Sequence, residues 1–319
     1  MLRRPGIQDG GNRMAKTIDL SVDLGFIQLK NPIIPASGTF GYGEEFQAFF
    51  PLDILGAFVL KGIYKNPRKG NPPPRIHETA AGLLNSIGLA GPGAEELKKI
   101  IKRTASITNT PIIVNVCGES DEEYLEVAKI FDVMEEVSIL ELNISCPNVK
   151  AGGKCPAQDR DHTFRLVKQI KENTQKPLMV KLSPNTHDVP AVALAAQEAG
   201  ADCISLVNTF LGVAVDLKKR APVFKNVFAG LSGPAIKPLA LKLVWEVAKT
   251  VSIPVIGMGG ITSGKDVLEF VLVGASAVQT GTINMAEPCA SVRIIKELEE
   301  TMEALSITNL SEIKGRLKL

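Results

Sequence analysis

The sequence predicts an α/β fold, a TIM (β/α)8 barrel, and three observations carry that prediction. Short β-branched runs alternate with longer amphipathic stretches along nearly the whole chain, and eight such pairs can be counted. They fill about 250 residues, the common size of such a barrel. Almost every run ends in a polar residue or a glycine, at the face where these barrels carry their sites.

The elements follow in order. Residues 21–30 (SVDLGFIQLK) alternate about a Leu-Gly turn and are expected to form an N-terminal hairpin closing the bottom of the barrel. The eight strand runs are 32–36, 57–60, 111–115, 139–142, 178–180, 203–207, 254–256 and 275–279. Helical periodicity marks 94–104, 121–131, 163–172, 189–199, 235–249, 265–272 and 290–305. Two connections, 64–92 with its NPPPR and 208–233, are too long for simple turns and are expected to lie as loops or short strands over the C-terminal mouth. Residues 1–16 are basic and Gly-rich and are expected to be a disordered tail, with Met14 an alternative start, ahead of one barrel domain over 17–319.

Composition excludes several classes of function. With 45% hydrophobic and 22% charged residues the chain can bury a large core. Its 36 basic and 34 acidic residues are dispersed, so no nucleic-acid partner is expected. No apolar run reaches the roughly 18 residues of a membrane span, and a cytoplasmic protein without a membrane partner is expected. Cys117, Cys146, Cys155, Cys203 and Cys289 form no C-x-x-C pair or Cys/His cluster, so no metal is expected on this chain. Cys117, Cys203 and Cys289 read as core filling. His77, His162 and His187 lack aligned catalytic partners and read as surface residues.

The strand ends carry the chemistry. They read Ala36-Ser37-Gly38, Lys61-Gly62, Asn115, Asn143, Lys181, Asn208-Thr209, Gly259-Gly260 and Gly281-Thr282. The glycines of runs seven and eight let backbone N–H groups close on a phosphate. Lys61 and Lys181 end apolar runs, and two ammonium groups aimed at one cavity call for an anionic ligand. The segment LELNISCPNVK sets Cys146 between Asn143 and Asn148: amides that can read ring N–H and C=O groups, with a thiol that can take a proton. These residues suit oxidation of a small polar ring. A Schiff-base lyase with Lys181 as nucleophile, and a non-catalytic flavin- or phosphate-binding subunit, remain open at this level.

NPIIPASGTFGYG, LKGIYKNPRKGNPPPR, LLNSIGLAGPG, LELNISCPNVKAGG, VKLSPN, VNTFLGVAVDL, AGLSGPAIKP, IPVIGMGGI and VQTGT together resemble class 1 dihydroorotate dehydrogenases, and within them the type B catalytic subunit. The likeness runs from about Ile18 to about Leu305. It implies one FMN per chain, oxidation of dihydroorotate to orotate in pyrimidine synthesis, and electrons passed to NAD+ through a separate subunit carrying FAD and a 2Fe-2S cluster. A homodimer core within a heterotetramer is implied, with fumarate as acceptor in type A relatives the alternative.

By motif, the resemblance implies Cys146 as the base that removes the C5 proton while a hydride leaves C6 for flavin N5. Lys61, Asn85, Asn143, Asn148, Asn208 and Thr209 would hold the substrate. Ala36, Ser37, Lys61, Gly62, Asn115, Asn143, Lys181 and Val207 would line the flavin, and Gly233, Gly259, Gly260, Gly281 and Thr282 its phosphate. Beyond NVKAGG the chain reads KCPAQDRD, where type B relatives more commonly carry an aromatic-Gly-x-Asp sequence.

Overall fold

A computed structural model describes residues 17–145 and 156–318. The chain enters through the antiparallel pair β1 (Val22–Asp23) and β2 (Gln28–Leu29), whose Val22, Leu24 and Leu29 are buried while Asp23 and Gln28 face water. That alternation is what a strand with one wet face needs. β3 (Ile33–Pro35) and β4 (Phe58–Val59) follow, then the antiparallel β5 (Ile76–Thr79) and β6 (Gly82–Asn85). Next come α1 (Ala94–Ala105), β7 (Ile112–Val116), α2 (Asp121–Asp132), β8 (Val137–Asn143), α3 (Arg160–Asn173), β9 (Leu178–Lys181), α4 (Val189–Glu198) and β10 (Cys203–Leu206). The long connection after β10 holds β11 (Phe210–Val213), β12 (Val215–Asp216), β13 (Ala221–Pro222) and β14 (Phe228–Ser232). α5 (Lys237–Thr250), β15 (Val255–Met258), α6 (Gly264–Leu272), β16 (Ala277–Thr280), a one-turn α7 (Ile283–Ala286) and α8 (Ala290–Ala304) complete the barrel.

Eight strands form one parallel sheet in the order β3-β16-β15-β10-β9-β8-β7-β4. Its two ends meet where the Gly56 N–H donates to the Ile33 carbonyl at 3.1 Å. Gly56 permits that approach, since a Cβ there would lie 2.0 Å from the Asn31 carbonyl oxygen. All eight strand runs are present in order, which confirms the barrel. The strands are Val-, Ile- and Leu-rich because helices cover one face and the barrel interior the other.

Helix starts are set by side-chain caps. Ser120, Asp159, Asp188 and Ser263 each accept backbone N–H bonds in the first turn of α2, α3, α4 and α6. Capped by Asp159, α3 starts at Arg160, three residues before the expected 163, because hydrophobic periodicity marks the buried face and not the cap. The connections after β4 and β10 pair into a second, antiparallel sheet, β11-β14-β6-β5. Among the three cysteines expected in the core, Cys117 and Cys203 are buried but Cys289 is exposed. Cys289 occupies the cap before α8, in the turn after α7, ahead of the helix whose apolar face is buried.

Candidate active site

A cavity of about 710 Å3 opens at the C-terminal ends of the barrel strands, beneath the second sheet. That is within the roughly 300–1,000 Å3 of small-molecule and cofactor sites. Its wall contains Ala36, Ser37, Lys61, Gly62, Asn85, Asn115, Asn143, Lys181, Val207, Asn208, Thr209, Gly233, Gly259, Gly260, Gly281 and Thr282. These were collected from eight strand ends and both long connections, and the fold brings all of them to one space. Cys146 and Asn148, and with them Cys155, lie outside the described residues.

The amides of the wall are joined in one direction. The Asn115 Nδ2 donates to Glu141 at 2.5 Å, and its Oδ1 accepts from the Asn143 Nδ2 at 3.2 Å. The Asn143 Oδ1 in turn accepts from both the backbone N–H and the hydroxyl of Ser145, at 3.4 and 2.6 Å. Ser145 Oγ accepts from the Asn208 Nδ2, and the Asn208 Oδ1 accepts from the Thr209 N–H at 2.8 Å. Since a carboxylate only accepts and a backbone N–H only donates, both ends of the Asn115–Asn143–Ser145 run fix how the amides point. The site therefore offers a set donor and acceptor pattern, suited to a flat ring of N–H and C=O groups.

Two lysines supply positive charge. Lys181 is 4% exposed, and its Nζ lies 3.9 Å from the Glu141 carboxylate. Lys61 is half-buried; burial lowers its pKa below the ordinary 10.5, the Arg75 guanidinium pushes the same way, and Glu45 opposes them. The sign of the consequence follows from the ammonium being the form that attracts an anion. Affinity for an anionic ligand is full while Lys61 is protonated and falls as pH rises through its lowered pKa, earlier than an exposed lysine would allow. Titrations with an anionic ring ligand at increasing alkaline pH should show that weakening, and Lys61→Arg should move it to higher pH.

The far end of the cavity is lined by glycine. Gly260 has φ +74°, a left-handed conformation, and a Cβ there would meet Lys237 Cβ at 2.8 Å and the Gly233 carbonyl at 2.9 Å. Gly281 differs: its φ is ordinary, and a Cβ would meet nothing within 4 Å. Among the described residues the N–H groups of Gly260, Gly281 and Thr282 have no carbonyl partner. Amides on a cavity wall without a carbonyl partner fit an anion such as phosphate. Thr282 Oγ1 donates to Ser232 Oγ at 2.8 Å and ties this end to β14 of the second sheet.

Sequence reasoning missed the layer beneath the cavity: Glu141, Ser205 and Gln279, all fully buried. The signal was an acid inside the apolar run LELN, two residues before Asn143 and so on the same face of β8. Of the histidines, His77 is exposed and His162 holds Asp121 at 2.8 Å on the helical surface. No His/Cys/Asp/Glu group able to hold a metal occurs among the described residues, and none of their helices is long and apolar enough to cross a membrane.

Comparison with known proteins gives a consistent result. The family described as dihydroorotate dehydrogenase matches residues 19–302. The chain is 50% identical over 307 residues to a Geobacter metallireducens protein named dihydroorotate dehydrogenase B (NAD(+)), catalytic subunit, covering 95% of this chain and 100% of that one. A Thermoanaerobacter pseudethanolicus protein of the same name is 46% identical over 302 residues, 95% and 100% of the two chains. In structure, the chain is similar to DHODH from Eimeria tenella in complex with ferulenol, with TM-score 0.79 at 22% identity, over 96% of this chain and 90% of that one; at that identity the likeness concerns the fold.

Proposed function

The chain belongs to the dihydroorotate dehydrogenase family, and on that premise we propose that its cavity seats FMN beneath dihydroorotate, with Cys146 as the base. The chain is an oxidoreductase that oxidises dihydroorotate in pyrimidine biosynthesis, the NAD+-linked catalytic subunit of an enzyme with a second subunit. In the proposal that partner carries FAD and a 2Fe-2S cluster, two copies of this chain form the core of a heterotetramer, and the setting is cytoplasmic. The observation that carries the proposal is the continuous wall from the directed amides, past Lys61 and Lys181, to the unpaired amides at Gly260, Gly281 and Thr282.

Bound flavin supplies the acceptor for the hydride that leaves the substrate. The chain's residues do the rest. Gly233, Gly259, Gly260, Gly281 and Thr282 hold the phosphate, while Ala36, Ser37, Gly62, Asn115 and Val207 flank the ring and ribityl chain. Lys181 offsets the negative charge that the ring gains on reduction. Asn85, Asn143, Asn148, Asn208 and Thr209 hold the amide edges and carboxylate of the substrate, with Lys61 reaching both molecules. Asn85 contributes from the second sheet, where its Nδ2 donates to the Gly230 carbonyl at 3.2 Å. Cys146 takes the C5 proton from the face opposite the hydride's departure.

The test is anaerobic addition of dihydroorotate to the purified yellow chain, which should bleach the flavin absorbance at once. Flavin that stays oxidised, with orotate absent from the products, would overturn the proposal. A colourless chain whose Lys181 is trapped covalently by borohydride would point to imine chemistry instead.

A further inference from the structure

Glu141 is a fully buried acid that touches the cavity wall through Asn115, yet it does not line the cavity itself. Its Oε1 accepts from Ser205 Oγ at 2.9 Å and Gln279 Nε2 at 2.7 Å, and its Oε2 accepts from Asn115 Nδ2 at 2.5 Å. Three donors on two oxygens suit an ionised carboxylate. β-register explains how they meet: Asn115 pairs with Glu141 across β7 and β8, and Ser205 pairs with Lys181 across β9 and β10. Among the described residues the cation paired with Glu141 is Lys181, at 3.9 Å.

Such a pair makes the electrostatics of the site a difference of two charges. Lys181 Nζ, on the wall, favours a ligand that becomes more negative. A carboxylate behind it cancels part of that field, and in a buried layer the cancellation is weakly screened. We propose that Glu141 is a positioning residue that sets the reduction potential of the flavin through Lys181, holding the potential below the value the lysine alone would give. The proposal rests on the flavin seat argued above.

Substitution can test charge without breaking the hydrogen bonds. Gln279 Oε1 has no hydrogen-bond partner and is buried, so in Glu141→Gln the Gln279 amide can turn and accept from the new amide, the Ser205 hydroxyl can turn to accept from it as well, and the remaining oxygen keeps Asn115. The experiment is equilibration of the FMN-bound chain with redox dyes, free of dihydroorotate, to read the midpoint potential. Glu141→Gln should shift it to a more positive value and Lys181→Met to a more negative one. The double variant Glu141→Gln, Gln279→Glu returns a charge to the same cluster and should bring the potential back toward wild type.

An unchanged or more negative potential in Glu141→Gln overturns the proposal, as does a double variant that behaves like the single one. Should Glu141→Gln retain no flavin, Glu141→Met removes the same charge with an apolar chain of similar length and must show the same sign. Failure of the underlying function looks different. A wild-type chain that takes up no flavin overturns both, whereas a wild type bleached by dihydroorotate with an unmoved potential in the variants overturns this inference alone.

Discussion

Cys146→Ala is expected to slow reduction of the bound flavin by dihydroorotate by about a hundred- to ten-thousand-fold, the usual worth of a positioned general base. Flavin should remain bound, because all the residues proposed to hold it except Asn143 come from strand ends other than that of β8. Cys146→Ser should be slowed strongly but less than alanine, since a hydroxyl can still pass a proton although it is a much weaker acid. A free thiol has a pKa of about 8.5, so the wild-type rate should rise with pH as thiolate forms, and both variants should lose that rise. The measurement is anaerobic stopped-flow reduction of each flavin-bound protein across pH. Reduction in Cys146→Ala at the wild-type rate would remove the cysteine from the chemistry. Ser145, the residue before Cys146 in sequence, has its hydroxyl held between Asn143 and Asn208.

The barrel was legible because each strand run is short, apolar and followed by a helical period, and burial on both strand faces produces that pattern. Residues at the strand ends were legible for a related reason: polar groups that stop an apolar run have no packing explanation. The partnership of Glu141 with Lys181 was not legible, because it depends on which residues of β8 and β9 lie abreast, and register is a property of pairing between strands rather than of either one. The second sheet was expected only as loops or short strands, since β11 (FLGV) and β14 (FAGLS) put apolar residues on both faces, exposing Leu211, Val213 and Phe228, so no apolar-polar alternation in the sequence marks a strand. Cys289 was misplaced because its apolar surroundings in sequence belong to α8, whereas the residue itself precedes the helix.

Two glycines at the phosphate end should respond to substitution in opposite ways, and the contrast separates folding from cofactor binding. Gly281→Leu is expected to leave a folded chain that has lost flavin. Its φ suits any residue and its Cβ would project into open cavity, so the backbone needs no adjustment, and removal of a glycine slightly favours the folded state. The added isobutyl group, however, occupies space before the N–H groups of Gly281 and Thr282. Affinity for FMN should fall by at least about tenfold, equivalent to about 1.4 kcal/mol. Gly260→Ala should cost stability first: its φ of +74° is unfavourable by about 1–2 kcal/mol for a residue with a Cβ, and that Cβ meets Lys237 and the Gly233 carbonyl under 3 Å. Lys237 cannot easily yield, because its ammonium is held by Asp266 at 2.6 Å and Glu269 at 2.7 Å. Thermal melts of both variants stripped of flavin, set beside FMN titration, read the two effects apart. Gly281→Leu that binds FMN like the wild type would place the phosphate elsewhere in the cavity. The same result with a lowered melting temperature would show that Gly281 serves the fold, and the unpaired amides there would need another ligand.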